Sequence, residues 1–213
     1  MIFHDYYSEI PSDEIDRFVA TQEMGRLITV SEDGTPHVGL YNFVYAAPAI
    51  ELHLVRADEQ IADLKARSRC AFEVDEVLAV IPSHWVHPEY AGSATAYHRT
   101  VIFECAGTVA EDPALVMAQQ QRLLAKHQPE GQYRPLRVDD PLYTGALNHL
   151  AAVTLRISAC RAKFKLGQNR PVAARRRVIE ELRKRARPND ARAADALQWT
   201  IDHPVTPGAQ HGS

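Results

Sequence analysis

Two short stretches of this chain hold residues whose types and spacing could do chemistry. Arg56-Ala57-Asp58-Glu59-Gln60 leaves an apolar strand and enters a helix with Asp58 as its N-cap. A strand end feeding a helix N-terminus is a natural anion site, because free backbone N–H groups and the helix dipole point the same way. Arg56 stands just before it; a surface arginine in an ion pair is the competing reading. Ser83-His84-Trp85-Val86-His87 sets His84 and His87 three residues apart. On a helix or tight turn such a pair faces one metal or one haem iron, although two exposed loop imidazoles are the commoner occurrence. The ten histidines scatter and argue for no single metal cluster. No Gly-x-Ser-x-Gly elbow, phosphate-binding P-loop or His-Glu-x-x-His occurs. Cys70, Cys105 and Cys160 are far apart, odd in number, and on or beside strands. That disfavours a disulfide framework or a metal knuckle, and packing outweighs a nucleophilic role.

The elements that must position these residues read mainly as strands. Leu27, Thr29 and Ser31 alternate with Ile28 and Val30. Glu32-Asp33-Gly34-Thr35 then turns the chain, and Val38, Leu40, Tyr41, Phe43 and Val44 bring it back. Period-two alternation and Asp-Gly mark a hairpin. A hairpin cannot hide its apolar face alone and needs more sheet. Ile50–Val55, Cys70–Val74, Ala96–Val109 and Ala151–Ser158 supply it, making six expected strands. Helices are expected from Ser12, from Asp58, from Pro113 and over Val172–Ala186, with Gln128–Tyr143 as a connecting loop. The reading is a mainly β, α+β fold: a small closed or split β-barrel with peripheral helices. Barrels of this size offer a ligand groove at a mouth or a subunit seam.

Bulk properties bound the function. The chain has 213 residues, 46% hydrophobic and 24% charged, with net charge −3 and pI about 6.4. These values suit a globular protein with no global pull toward nucleic acid or anionic membrane. The opening MIFHDYYSEIPSDE has neither a basic n-region nor an apolar h-region, so no signal peptide is expected. No run approaches the roughly 18 apolar residues of a membrane span. A reducing cytoplasm is the expected location. The helix from Arg175 to Arg187 is basic, yet Glu180 and Glu181 interrupt it and no helix-turn-helix pair is evident, so a solvated face is the commoner explanation.

Lys163-Phe164-Lys165-Leu166-Gly167-Gln168-Asn169-Arg170-Pro171 resembles the closing K-x-K-L-S-Q-N-x-P motif of PaiB-type FMN-binding proteins, with Gly167 where that family has Ser. His53-Leu54-Val55-Arg56-Ala57-Asp58-Glu59-Gln60 is similar to its G-H-x-A-R-A-N-P-Q, agreeing at His53, Arg56, Ala57 and Gln60. That family's V-P-T-W-N-Y stretch is replaced here by Ser93 to Val101. The middle of the chain is instead similar to pyridoxamine 5'-phosphate oxidase-like flavin proteins, including nitroimidazole-reductase relatives. In the oxidases proper, Ser-Arg-Lys binds the FMN phosphate where this chain has Asp58, Glu59 and Gln60. Arg56, Arg99, Lys163 and Lys165 are the cations left to replace that clamp.

The resemblance implies a split β-barrel of the FMN-binding type that forms a homodimer, with FMN at the dimer seam. The expected domain is residues 1–187, including the basic helix, followed by a mobile tail over 188–213. The expected function is a small flavin-dependent oxidoreductase of unknown substrate. A PaiB-like negative transcriptional regulator and a haem b enzyme of the piperazate-synthase kind on the same barrel are the alternatives. The expected cofactor-binding residues are Arg56, Gln60, His98, Arg99, Thr100, Lys165, Gln168 and Asn169. If the cofactor is haem, His84, His87 and His98 are the candidate ligands; otherwise no metal site is expected. No catalytic acid or base is assigned. Partners are a second copy, flavin and a small-molecule substrate, with nucleic acid less favoured and no membrane.

Overall fold

A computed structural model describes residues 1–204. The elements run α1 (Asp5–Ser8), α2 (Ser12–Thr21), β1 (Met24–Val30), β2 (Pro36–Asn42), β3 (Val44–Ala46), β4 (Ala49–Val55), α3 (Glu59–Ala66) and β5 (Arg69–Ile81). Short 3-10 turns at Ser83–Trp85 and Ala91–Ser93 lead to β6 (Thr95–Ala110), α4 (Pro113–His127), α5 (Pro141–His149), β7 (Leu150–Lys165), α6 (Val172–Arg185) and α7 (Asp190–Asp202). The seven strands form one sheet in the order β2-β1-β5-β6-β7-β4-β3. Among the described residues no helix is long and apolar enough to cross a membrane.

The chain divides into two compact units. One comprises Met1–Ser12, Asp75–Thr100 and the chain from Ala162 onward; the other comprises Asp13–Val74 and Val101–Arg161. We call them the first and second unit.

The second unit is built on the hairpin. β1 and β2 pair antiparallel from Met24↔Asn42 to Val30↔Pro36. The turn closes because Thr35 N–H reaches Ser31 Oγ and Asp33 Oδ1, both at 3.0 Å. Gly34 takes φ +92° there, a region that favours glycine. The return strand does not run unbroken to Val44, as the alternation suggested. It stops at Asn42, because Phe43 is fully buried and packs edge-on against Phe72 at 5.1 Å. β2 and β3 are thus opposite edges of one sheet joined by a single residue. The sheet has to curl until its edges approach, which is what a split barrel requires. Leu27, Ile50, Leu52, Leu54, Phe72, Phe103 and Leu155 fill the interior.

Helix α3 closes one end of that interior through polar bonds. Asp58 caps it, accepting from Gln60 N–H at 2.9 Å. Gln60 is 2% exposed, and its amide donates to Leu27 O (3.0 Å) and Thr29 Oγ1 (3.2 Å) while accepting from Tyr41 OH (2.7 Å). Thr29 in turn donates to buried Asp63 at 2.6 Å, and His37 Nδ1 lies 2.8 Å from the same carboxylate oxygen.

Three segments depart from the sequence reading. Residues 141–149 form α5 rather than loop; Asp140-Pro141 is an N-cap and first-turn proline, as Asp112-Pro113 is for α4, and Pro-Leu-Tyr-Thr-Gly had masked it. The expected sixth strand and the RAKFKL stretch are one strand, β7. The expected tail from 188 begins with α7, whose Ala193, Ala194, Ala196 and Leu197 are buried in the first unit. Alanine carries little hydrophobic signal but has the highest helix propensity, so this stretch looked polar and unstructured. The rest of the expected tail, from residue 205, lies outside the described residues. Helix α7 is tied to α6 by Arg185, whose guanidinium donates to both oxygens of Asp190 (2.8 and 2.6 Å) and lies 4.8 Å from the Trp85 ring centroid.

Two outcomes follow for stability. Leu197 is fully buried, so Leu197→Ala should cost about 2–5 kcal/mol in chemical denaturation; a change near zero would mean α7 is not docked. The Asp63 hydrogen bond, with help from Glu59, raises the His37 pKa above its ordinary 6.5 against a desolvation effect that lowers it. A raised folded-state pKa stabilises fully below the unfolded value and is lost as pH rises through the folded one. Urea midpoints should therefore fall as pH rises from the mid-6 range upward, and His37→Gln should remove that slope.

Candidate functional site

Alternation on β1 turns Leu27 and Thr29 inward and leaves Ile28 and Val30 on the outer face of the sheet. Ile28 stands opposite Ala71 of β5 and Val38 of β2. Ile28, Val30, Ala71 and Ile102 of β6 floor an open groove of about 420 Å3 in the second unit. Arg67, Arg69 and Arg161 stand around it, against one carboxylate, Glu104, which lies 3.9 Å from Arg69. Arg67 makes no ion pair among the described residues. Beside the groove Val38 and Leu40 are 63% and 57% exposed. An apolar slab ringed by guanidiniums suits a flat ring carrying an anionic group.

A smaller cavity of about 240 Å3 lies wholly within the first unit. Tyr7 of α1, Thr95 and Tyr97 of β6, Lys165 of β7, and Asn169 and Arg170 of the following loop line it. None of its lining residues is acidic. Lys165 Nζ donates to Thr95 Oγ1 at 2.6 Å. Desolvation, then the charges of Lys163 and Arg170, lowers the Lys165 pKa. Gly167 takes φ +79°, and a Cβ there would stand 3.4 Å from the Tyr97 hydroxyl.

A third cleft, of about 360 Å3, is bounded by Val38, Gly39, Tyr41 and Ala57 to Gln60. Asp58 and Glu59 make it a poor host for phosphate.

The residues singled out from sequence divide between the units. Arg56 is in the second, where its Nε donates to Leu150 O at 3.0 Å and its guanidinium also bonds Glu111 O. Gln60, in the same unit, is occupied by the buried bonds described above. In the first unit Lys165 and Asn169 meet at the small cavity. Gln168 is committed to its own loop: its oxygen accepts from Leu166 N–H (2.8 Å) and its amide donates to Phe164 O (2.6 Å). Arg99 lies over the Phe164 ring at 5.3 Å and 4.0 Å from Glu76. Thr100 is buried, with Oγ1 3.2 Å from His98 Nδ1. Burial, then the Lys163 and Lys165 charges, lowers the His98 pKa, so it is neutral at pH 7.

His87 Nδ1 accepts from the backbone N–H of Glu89 and Tyr90, which fixes it in a turn. Among the described residues no group of three His, Cys, Asp or Glu could hold a metal. Cys70 and Cys105 are buried, and desolvation pushes their thiols up to about 11 and about 12, so neither is a nucleophile at neutral pH.

Sequence reasoning missed Tyr7, Tyr97 and Arg170 at the cavity and Arg67, Arg69 and Arg161 at the groove. The Arg-x-Arg spacing at 67 and 69, beside a strand whose outer face is apolar at Ile28 and Val30, was the available signal. Nothing local links Tyr7 to Tyr97, ninety residues apart.

No curated protein matches the chain. Among solved structures it is similar to the flavocytochrome Anf3 from Azotobacter vinelandii, at 13% identity over 77% of this chain and 72% of that one, with TM-score 0.64. It is similar to the FAD and heme binding protein from Mycobacterium smegmatis, at 15% identity over 75% and 73%, with TM-score 0.61. A conserved hypothetical protein from Mycobacterium tuberculosis gives 17% identity over 78% and 91%, with TM-score 0.57. At such identities the likeness shows the fold alone: an α+β split barrel. The sequence itself matches the family described as "Putative FMN-binding domain" across residues 1–159, well over half its length, and the chain belongs to that FMN-binding family.

Proposed function

We propose that this protein is a small flavin-dependent oxidoreductase that holds FMN against the outer sheet face of its second unit, with a second copy closing the seam. The observation that carries the placement is the groove's composition: an apolar floor at Ile28, Val30 and Ile102 and guanidiniums at Arg67, Arg69 and Arg161. A phosphate needs two or three converging cationic donors, and an isoalloxazine needs an apolar face. The residues present fit both parts of FMN. FMN, when bound, supplies the hydride and electron transfer. The chain's own residues bind its phosphate, present the apolar floor and exclude water from the seam.

Exposed Val38 and Leu40, two apart on one face of edge strand β2, support pairing of two copies. Free thiols at Cys70, Cys105 and Cys160 are consistent with a cytoplasmic setting. The regulator reading would rest on the basic face of α6, part of which is paired. On α6, Arg183 lies 3.6 Å from Asp195, Lys184 3.9 Å from Glu181 and Arg185 2.6 Å from Asp190, so much of the basic face is neutralised locally.

The purified protein should show the visible bands of bound flavin and no Soret band; a Soret band instead would sink the flavin assignment. In fluorescence-quenching titrations, Arg67→Ala with Arg69→Ala should weaken FMN binding about 10- to 100-fold, the loss of one or more charge-assisted bonds. Riboflavin affinity should stay unchanged, and an equal loss for both ligands would place the phosphate elsewhere. Leu40→Glu should turn a dimer into a monomer by light scattering and release flavin at the same time. A mutant that stays dimeric would show that this face is not the seam.

A further inference from the structure

The small cavity of the first unit is not needed for the placement proposed above, and its chemistry is distinct. Every polar group identified on its wall is a hydrogen-bond donor or can act as one: the phenols of Tyr7 and Tyr97, the Lys165 ammonium, the Asn169 amide and the Arg170 guanidinium. No carboxylate lines it. Arg170 makes no ion pair among the described residues, and Lys165 is bonded only to Thr95 Oγ1.

The phenols add a second, independent observation. Tyr97 is 2% exposed and Tyr7 6% exposed, and neither hydroxyl has a hydrogen-bond partner among the described residues. Neither hydroxyl is among the fully buried polar atoms, so both open onto the cavity, where each can donate to an acceptor held there. They converge on the same place. Desolvation is the largest influence on both phenols and raises them, Tyr97 to about 12; the Arg170 charge acts on each in the opposite direction, while Tyr6 raises Tyr7 and Tyr7 raises Tyr97. Both therefore remain protonated donors at neutral pH.

The cations are also held together at a cost. Lys163 donates to Ile2 O at 2.8 Å and lies 5.7 Å from the Tyr7 ring centroid, which fixes the N-terminal segment as one wall. Lys163, Lys165 and Arg170 repel one another there, and an anion between them would relieve that repulsion. The volume of about 240 Å3 falls below the roughly 300–1,000 Å3 of pockets that enclose drug-sized ligands. That size suits a small molecule.

We infer that this cavity is a second binding site, for a small phosphate monoester, held by Lys165 and Arg170 and by the hydroxyls of Tyr7 and Tyr97. A dianionic headgroup has enough acceptor lone pairs for all four groups and matches two cations in charge.

The test is calorimetric titration of the flavin-loaded full chain with glycerol 3-phosphate, alongside acetate. Glycerol 3-phosphate should bind saturably, and acetate at least tenfold more weakly. Tyr97→Phe keeps the ring and removes only the hydroxyl, and should weaken binding about tenfold; Lys165→Met should weaken it by at least as much. Both should keep the wild-type melting temperature within a few degrees and the wild-type FMN affinity. Absence of binding to the folded wild type, or unchanged affinity in both variants, overturns the inference. Displacement of bound FMN by glycerol 3-phosphate, seen as a rise in flavin fluorescence, also overturns it, since the cavity would then be the flavin's own phosphate pocket. That outcome is distinguishable from failure of the flavin reading itself, in which no flavin is present to displace.

Discussion

A single residue sets the architecture. Phe43 joins β2 to β3, which lie at opposite edges of the seven-stranded order. A chain that steps from one edge of a sheet to the other in one residue leaves no length for a crossover, since one extended residue spans at most about 3.6 Å. The edges must therefore come together, and the sheet curls around whatever Phe43 packs on. That is Phe72 on β5, next to the centre of the sheet, with the Lys126 ammonium 4.2 Å from the Phe43 ring centroid on α4. The same Lys126 donates to Phe43 O at 3.0 Å and Gln22 O at 2.6 Å, so the connection is pinned by ring and by backbone.

Curling alone does not fix which residues face outward. Register does, because a slip of one residue exchanges the two faces of a strand. In the second unit the register of β1 is read by Gln60, whose amide contacts Leu27 O and Thr29 Oγ1. Shifting β1 by one residue would leave that buried amide without its partners, at roughly 1–3 kcal/mol for each group stranded. The inward polar knot of Gln60, Thr29, Asp63 and His37 thereby determines that Ile28 and Val30 look out over the groove. Gln60 influences the proposed flavin face from behind, by holding the strand that carries it.

This explains which parts of the molecule the sequence revealed. Period-two alternation and turn chemistry exposed the hairpin, β4, β6 and the Asp-capped helices α3 and α4, because each signal is local. The break at Phe43 was hidden, since Val38 to Val44 is uniformly β-forming and only burial distinguishes Phe43. Helix α7 was hidden by alanine. The two segments that carry the family resemblance, at Arg56–Gln60 and Lys163–Pro171, were correct pointers to ordered, chemically constrained segments. In each, the most conspicuous side chain, Arg56 or Gln168, makes hydrogen bonds to backbone groups. Side chains with many donors are recruited as readily to orphan carbonyls as to cofactors, and sequence does not separate the two uses.

Among the described residues, charge distinguishes three concave sites. The groove combines apolar floor with guanidiniums, the small cavity is lined by donors without a carboxylate, and the cleft at Tyr41 and Asp58 is acidic. Long-range charge cannot produce this, for the chain is nearly neutral at −3. It arises from how acids are used. Asp58, Asp112 and Asp140 cap helices, while Asp63, Asp190 and Glu76 hold His37, Arg185 and Arg192. Carboxylates committed to the fold in this way are absent from the small cavity's wall and all but absent from the groove's. Arg67, Lys165 and Arg170 are then left facing open space with uncompensated charge. Cations kept unpaired beside cavities are expensive in isolation, and an anionic guest is the economical explanation for keeping them.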